Sequence, residues 1–518
     1  MNIIPQPNKV TLLGGKMALG KNTKIICQDS QLKDSVAKAL AKFDNKSSNS
    51  VEFVTDCAMA KEEYSIVAKA DKVEVKASGF NGFFYAAQTL SQMLDGDGAV
   101  ECVTICDKPR FEYRSFMLDC ARHFWTIEKI KQYIDLMASV KLNIFHWHLS
   151  EDQGWRAEIK KYPLLTTKGC IRKDTPLSLK GYPTKREEHD GKEYGRGLFY
   201  SQEQMRDIVD YASKRAVEVV PEIDMPGHLV SAISCYPELS CTGEKVEVSN
   251  RWGVMDNIGC CGKENIYQFA KDIVDELVDI FPCKYFHIGG DEVPKNKWKT
   301  CPKCQAKIKE LGLANENELQ GYFNNVMADY LSSKGKTTLG WNEILESSKT
   351  LNKNIIPQWW TRHIGSRYEL DWIDNGGKLV ISMVDFVYMD HPYMKRPLAK
   401  TYSFAPSKIG IKNESGVLGV EAPQWTEYIR DERKLDFNTV PRMCAIAEVG
   451  WTQETNMEYD DFERRFESKR DKLQAQGLVL PSQKVYRGNA CWNPFKIRDI
   501  GMAKWVVNPY FELEKDGK

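Results

Sequence analysis

The sequence has no surplus of either charge: 72 Lys and Arg stand against 71 Asp and Glu, a formal net charge of +1. That balance creates no field to attract a polyanion, so no nucleic acid and no membrane surface is expected as a partner. No run reaches the ~18 apolar residues of a bilayer span. The opening Met1-Asn2-Ile3-Ile4-Pro5 lacks the apolar stretch of a secretory leader, so the chain is expected to be cytoplasmic or already stripped of one. Fifteen cysteines are an odd number, which excludes a framework pairing all of them, and a chain this long needs no stapling. No disulfide is expected. Cys301-x-x-Cys304 has the spacing of half a zinc site, but no second pair lies at suitable spacing nearby and Cys260-Cys261 are adjacent. The pair therefore reads as part of a surface loop, and neither metal nor other cofactor is expected. No internal repeat is visible.

What is present points to a large α/β protein. The 518 residues exceed the roughly 250 typical of a single barrel, and 42% hydrophobic with 28% charged residues is ordinary globular composition. From about residue 115 short β-branched or apolar runs alternate with segments of helical period. Eight strands can be read: 115–120, 142–149, 216–224, 285–289, 337–341, 354–360, 378–382 and 417–425. Between them Ile127, Ile130, Ile134 and Met137 behind Thr126, and Ile266, Phe269, Ile273, Leu277 and Ile280, recur at helical spacing. Segments 203–215, 317–333 and 458–476 also read as helices, and 388–410 as a loop. Eight such units predict a (β/α)8 barrel over 109–480, preceded by a small α/β domain over 1–108 with strands 51–54, 64–68 and 72–75 and a helix over 81–94. Residues 481–518 form an unassigned C-terminal extension.

In a parallel barrel the active site lies at the carboxyl ends of the strands, and those ends are polar here. They run out into Asp119 and Arg122-His123; His148, Glu151 and Asp152; Glu222, Asp224 and His228; His287 through Asp291-Glu292; Trp341-Asn342-Glu343; Trp359-Trp360; Tyr388 and Asp390; and Trp425-Thr426-Glu427. One such residue is commonly a cap or core residue; the joint pattern suggests a carbohydrate pocket, whose sugar faces suit flat aromatic rings. On a regular strand Asp291 and Glu292 would point to opposite faces, but Gly289-Gly290 permits backbone angles that turn both to the mouth. At ~5 Å and an effective dielectric of ~20 two carboxylates repel by about 3 kcal/mol, so one holds its proton near neutral pH, as the acid of glycosidic cleavage must.

With those residues in place the sequence resembles glycoside hydrolase family 20, the β-N-acetylhexosaminidases. The resemblance rests on His287-x-Gly-Gly-Asp291-Glu292, Leu118-Asp119-x-x-Arg122-His123-Phe124, His146-Trp-His148-Leu-Ser-Glu151-Asp152-Gln-Gly-Trp155, Pro221-Glu-Ile-Asp224-Met-Pro-Gly-His228 and Gly419-Val-Glu-Ala-Pro-Gln-Trp425-Thr-Glu427, with Gly82-Phe-Phe-Tyr85-Ala-Ala-Gln88-Thr-Leu90 near the start. It implies an exo-acting retaining enzyme in which the substrate's own 2-acetamido oxygen attacks the anomeric carbon through an oxazolinium intermediate. Its partner would be a glycan or oligosaccharide with a terminal β-linked GlcNAc or GalNAc, which suggests a periplasmic or secreted protein. It further implies Glu292 as acid and base, Asp291 as acceptor of the acetamido N–H, and Tyr388 as donor to the acetamido carbonyl. Trp341, Trp360 and Trp425 would wall the sugar, Arg122 and Glu427 would hold its hydroxyls with Asp390 nearby, and Glu151, His228 and Asp224 would tune the acid. Two departures stand out. Glu151-Asp152 replaces the Asp-Asp of many members, so either carboxylate is a candidate to meet His228, and the stretch from Tyr388 to Tyr402 lacks a Trp that some members place over the sugar. Three rival readings are a glycosidase with Asp291 as nucleophile, a non-catalytic sugar-binding barrel, and a zinc protein using His146, His148 and the Cys301/Cys304 pair.

Overall fold

The computed structural model describes residues 1–44, 48–176, 189–347, 349–362 and 365–488; most of the C-terminal extension lies outside them. The first hundred residues form a six-stranded sheet of β1 (Lys9–Ala18), β2 (Lys24–Ile26), β3 (Ser50–Thr55), β4 (Tyr64–Ala68), β5 (Lys72–Ala77) and β6 (Ala99–Asp107), in the order β1-β6-β4-β5-β3-β2. In β4 and β5 alternate residues are buried, and those faces pack under the helix Phe80–Met93. Strands β1, β2 and β6 and the helix Ser30–Leu40 were not legible. Eight of the ten residues of β1 are exposed, so no apolar alternation marked it.

The remainder is built on β7 (Tyr113–Asp119), β8 (Ile144–His148), the two-residue hairpin β9 (Ser150–Glu151) and β10 (Gly154–Trp155), then β11 (Glu218–Glu222), β12 (Tyr285–His287), β13 (Thr337–Trp341), β14 (Ile356–Trp359), β15 (Leu379–Ile381) and β16 (Val417–Gln424). Strands β7, β8 and β11 to β16 close into an eight-stranded parallel barrel, with β16 pairing β7 from Gly419 opposite Tyr113 to Gln424 opposite Leu118. Each barrel strand coincides with one of the eight runs read from the sequence. They were legible because barrel strands covered on both faces carry near-continuous apolar runs.

The helices follow the same logic. Thr126 caps Ile127–Ser139 by accepting from Lys129 N–H, and Ser201 with Gln204 forms a reciprocal capping box on Gln202–Ser213. The segment 388–410 is not all loop: it contains a short helix, Leu398–Tyr402, and a 3-10 turn, Pro406–Ile409. The charged stretch 458–476 divides into Tyr459–Glu467 and Arg470–Ala475. Asp107 at the end of β6 fastens the sheet to the barrel. One of its carboxylate oxygens accepts from Tyr64 Oη at 2.6 Å, Trp451 Nε1 at 2.9 Å and Lys141 Nζ at 3.2 Å. Among the described residues no helix is long and apolar enough to cross a membrane.

Candidate active site

At the carboxyl end of the barrel the chain leaves β12 through Gly289 and Gly290, at φ +68° and +95°. These are left-handed angles that a Cβ resists. A Cβ on Gly289 would also lie 1.8 Å from Asp224 Oδ1. The bend is held by Gly290 N–H donating to Asp224 Oδ1 at 3.0 Å and by Gln320 Nε2 donating to Gly290 O at 2.7 Å. Glu292 and His228 themselves adopt φ +48° and +46°, non-glycine residues in a strained region of the kind found at functional sites. Asp291 and Glu292 thus both face one cavity of about 220 Å³.

Ten of the twelve residues singled out from the sequence line that cavity: Arg122, His228, Asp291, Glu292, Trp341, Trp360, Tyr388, Asp390, Trp425 and Glu427. The other two, Glu151 and Asp224, lie behind them. His228 Nδ1 is 3.1 Å from Glu151 and 3.3 Å from Asp152, and Nε2 is 3.5 Å from Glu292 and 3.7 Å from Asp291. Both carboxylates of the Glu151-Asp152 pair therefore meet His228. These are charge contacts, since neither ring nitrogen makes an aligned hydrogen bond. Burial would lower the His228 pKa, yet Glu151 and Asp152 raise it well above the ordinary value and keep the ring cationic. Arg122 is fixed by Glu151, by Gln153 Oε1 at 3.2 Å and by Asp119 at 3.4 Å, and its guanidinium lies 4.9 Å over the Trp425 ring.

The aromatic wall is anchored from below. Trp341 Nε1 donates to Glu222 Oε1 and Trp360 Nε1 to Glu343 Oε2, both at 2.8 Å, while the Trp360 and Tyr388 rings stack 6.0 Å apart. Glu222 also meets His148, His287 at 3.0 Å and His146 at 3.1 Å, and Glu421 takes the other side of His146 at 3.0 Å. These side chains are fully buried and close the floor of the cavity. Val384 and His391 line it as well; nothing in the sequence distinguished them except that His391 follows Asp390.

The two adjacent carboxyls differ in their hold on a proton. The Asp291 side chain is 11% exposed and that of Glu292 38%. Burial pushes Asp291 up to about 6, against the pull of His228 and with the repulsion of Glu292. Burial raises Glu292 too, but the cationic His228 ring beside it outweighs that and holds the carboxyl below the usual value. Of the two adjacent carboxyls, Asp291 is the one whose hold on a proton is strengthened. Burial takes Asp224 well above the carboxylate range, Glu343 to about 8 and, against Arg122, Glu427 to about 7.

One expectation is corrected. Cys301 and Cys304 are buried rather than set in a surface loop, and they gather with Cys241 and Cys260, not with His146 or His148. Cys241 and Cys260 come from a separate connection, far from any recognisable spacing. The cysteines of the described residues are all free.

An acidic pair turned into a small aromatic-walled cavity at the mouth of a parallel barrel is the arrangement of a barrel hydrolase that acts on sugars. The family model for the catalytic domain of glycosyl hydrolase family 20 matches residues 111–454, and that for domain 2 of the same family matches 1–108. The chain belongs to glycosyl hydrolase family 20. A β-hexosaminidase of Porphyromonas gingivalis is 35% identical, covering 93% of this chain; the chain spans 65% of that relative's length. A β-N-acetylhexosaminidase of Bacteroides fragilis superposes with a TM-score of 0.80 at 30% identity over 95% of this chain and 99% of that one. An exo-β-N-acetylglucosaminidase of Vibrio harveyi, solved with N-acetylglucosamine, has a TM-score of 0.80 at 29% identity, covering 93% of this chain and 78% of that one.

Proposed function

We propose that the chain is an exo-acting, retaining β-N-acetylhexosaminidase that removes terminal β-linked GlcNAc or GalNAc by substrate-assisted catalysis. The observation that carries this reading is the adjacency of Asp291 and Glu292 above a closed floor. An enzyme nucleophile and its acid stand on opposite sides of the scissile bond, ~5–5.5 Å apart, and neighbouring residues turned to the same mouth cannot straddle it. A nucleophile carried by the substrate fits that arrangement, and a 2-acetamido group supplies it.

The residues divide the work accordingly. Asp291 accepts the acetamido N–H, and Tyr388 donates its hydroxyl to the acetamido carbonyl, so that the oxygen points at the anomeric carbon. Burial keeps the Tyr388 hydroxyl protonated, well above its ordinary pKa. Trp341, Trp360 and Trp425 confine the ring, and Arg122, Glu427 and Asp390 stand where the outer hydroxyls fall. Glu292, nearest solvent, protonates the leaving oxygen and later takes a proton from water. Its proton comes from the pair itself. An acetamido N–H on Asp291 favours that carboxylate in its ionised form, and an aglycone covering Glu292 removes its water, so binding moves the shared proton to the acid. A cavity of about 220 Å³, below the roughly 300–1,000 Å³ of drug-sized pockets, suits a single sugar and supports exo action.

The test is substrate choice. A chromogenic β-N-acetylglucosaminide is expected to be cleaved and the matching β-glucoside left intact, because only the first carries its nucleophile. Comparable rates on both would end the substrate-assisted reading.

A further inference from the structure

The connection that leaves β11 and the one that leaves β12 meet outside the sugar cavity, at four cysteines. Cys241 follows the 3-10 turn Pro237–Leu239, Cys260 precedes the helix Glu264–Val278, and Cys301 and Cys304 lie at the start of the helix Pro302–Leu311. Their sulfurs stand 3.5 Å apart for Cys260–Cys304, 3.8 Å for Cys260–Cys301 and 3.9 Å for Cys241–Cys304. All four lie within 4.8 Å of one another. Four thiolates at the ~2.3 Å Zn–S distance sit about 3.8 Å apart along the edges of a tetrahedron, and the observed separations scatter around that edge. A disulfide would need ~2.05 Å.

The backbone is shaped for the cluster. Pro302 opens the helix after Cys301, which places Cys301 and Cys304 one turn apart on the same side. Gly262 passes so close that a Cβ there would lie 2.3 Å from Cys304 N. The route to the active site is short: Gly259 N–H donates to Pro226 O at 2.8 Å, two residues before His228, and Trp298 Nε1 donates to Gly259 O at 3.0 Å.

We propose that Cys241, Cys260, Cys301 and Cys304 bind one Zn²⁺ in a closed tetrahedral site that staples the connection bearing His228 to the one bearing Asp291 and Glu292. Four soft sulfurs with no carboxylate among them select zinc over hard cations, and four protein ligands leave no open position for catalysis. Each thiol gives up its proton on binding and no electrons move. The site is independent of the substrate.

The full chain, purified without chelators and without a metal-affinity step, is expected to contain about one zinc, released in an organomercurial titration read with a chromogenic chelator only after exposed thiols such as Cys57 and Cys106 have reacted. Cys301→Ser with Cys304→Ser should lose the zinc and melt several degrees lower, while Cys106→Ser, at an exposed position, keeps both. If the double variant does not fold, the release titration on the unaltered protein decides. A protein that is zinc-free as isolated and takes up none when it is added, that holds iron instead, or whose intact mass shows these cysteines oxidised in pairs overturns the assignment.

Discussion

The two adjacent carboxylates differ less in chemistry than in what surrounds them. Repulsion between Asp291 and Glu292 is symmetric, so the sequence could show that one of them keeps a proton but not which; burial and the approach of His228 break the tie, and both are properties of the folded chain. The consequence is a pH profile. In the free enzyme the pair is a coupled acid that loses its shared proton as pH rises through about 6 on Asp291, so kcat/KM should fall above that point. On the proposed mechanism the proton would rest on Glu292 in the complex, desolvated by the aglycone, and the falling limb of kcat should lie at higher pH. Measured profiles for an aryl N-acetylglucosaminide check this, and coincident limbs would contradict migration of the proton.

At the scale of the element, the connections decide the site. The barrel strands, the turn-forming glycines and ten lining residues could be read because each carried a local mark: an apolar run, a Gly-Gly step, a polar strand end. The helix Glu432–Trp451 carried none. It is buried on nearly every side and holds Pro441 within it, so it shows no amphipathic period. The four-cysteine cluster escaped for a different reason, since its members come from two connections and only tertiary structure brings them together. The Gly289-Gly290 step is the element most exposed to substitution. Gly289→Ala demands a left-handed alanine, at about 1–2 kcal/mol, and drives its methyl into Asp224. Relieving that clash turns the acidic pair, so turnover is expected to drop at least roughly a hundredfold, the contribution of a positioned acid. Steady-state kinetics beside a thermal melt would separate this from unfolding, and near-normal turnover in a folded variant would dismiss the glycine's role.

Over the whole molecule, sheet and barrel are joined through a buried charge. Lys141 and Asp107 are both without solvent exposure, and burial lowers Lys141 to about 8 even with Asp107 beside it. Asp107→Ala strands that ammonium, and breaking a buried pair costs about 3–5 kcal/mol. The loss should appear in denaturant unfolding and be larger below about pH 8, where the native lysine is still charged. Equal stability of variant and parent would show that the joint rests on packing alone. At the opposite end of the barrel, buried Glu222, Glu421 and their histidines lie beneath the cavity. On the proposed exo action a substrate would enter sugar first and leave its aglycone at the door, so departure would follow a fixed queue: aglycone first, sugar last. The free aminosugar should therefore compete directly with substrate, whereas the departed aglycone, facing an enzyme still holding the sugar, should inhibit in a different kinetic pattern.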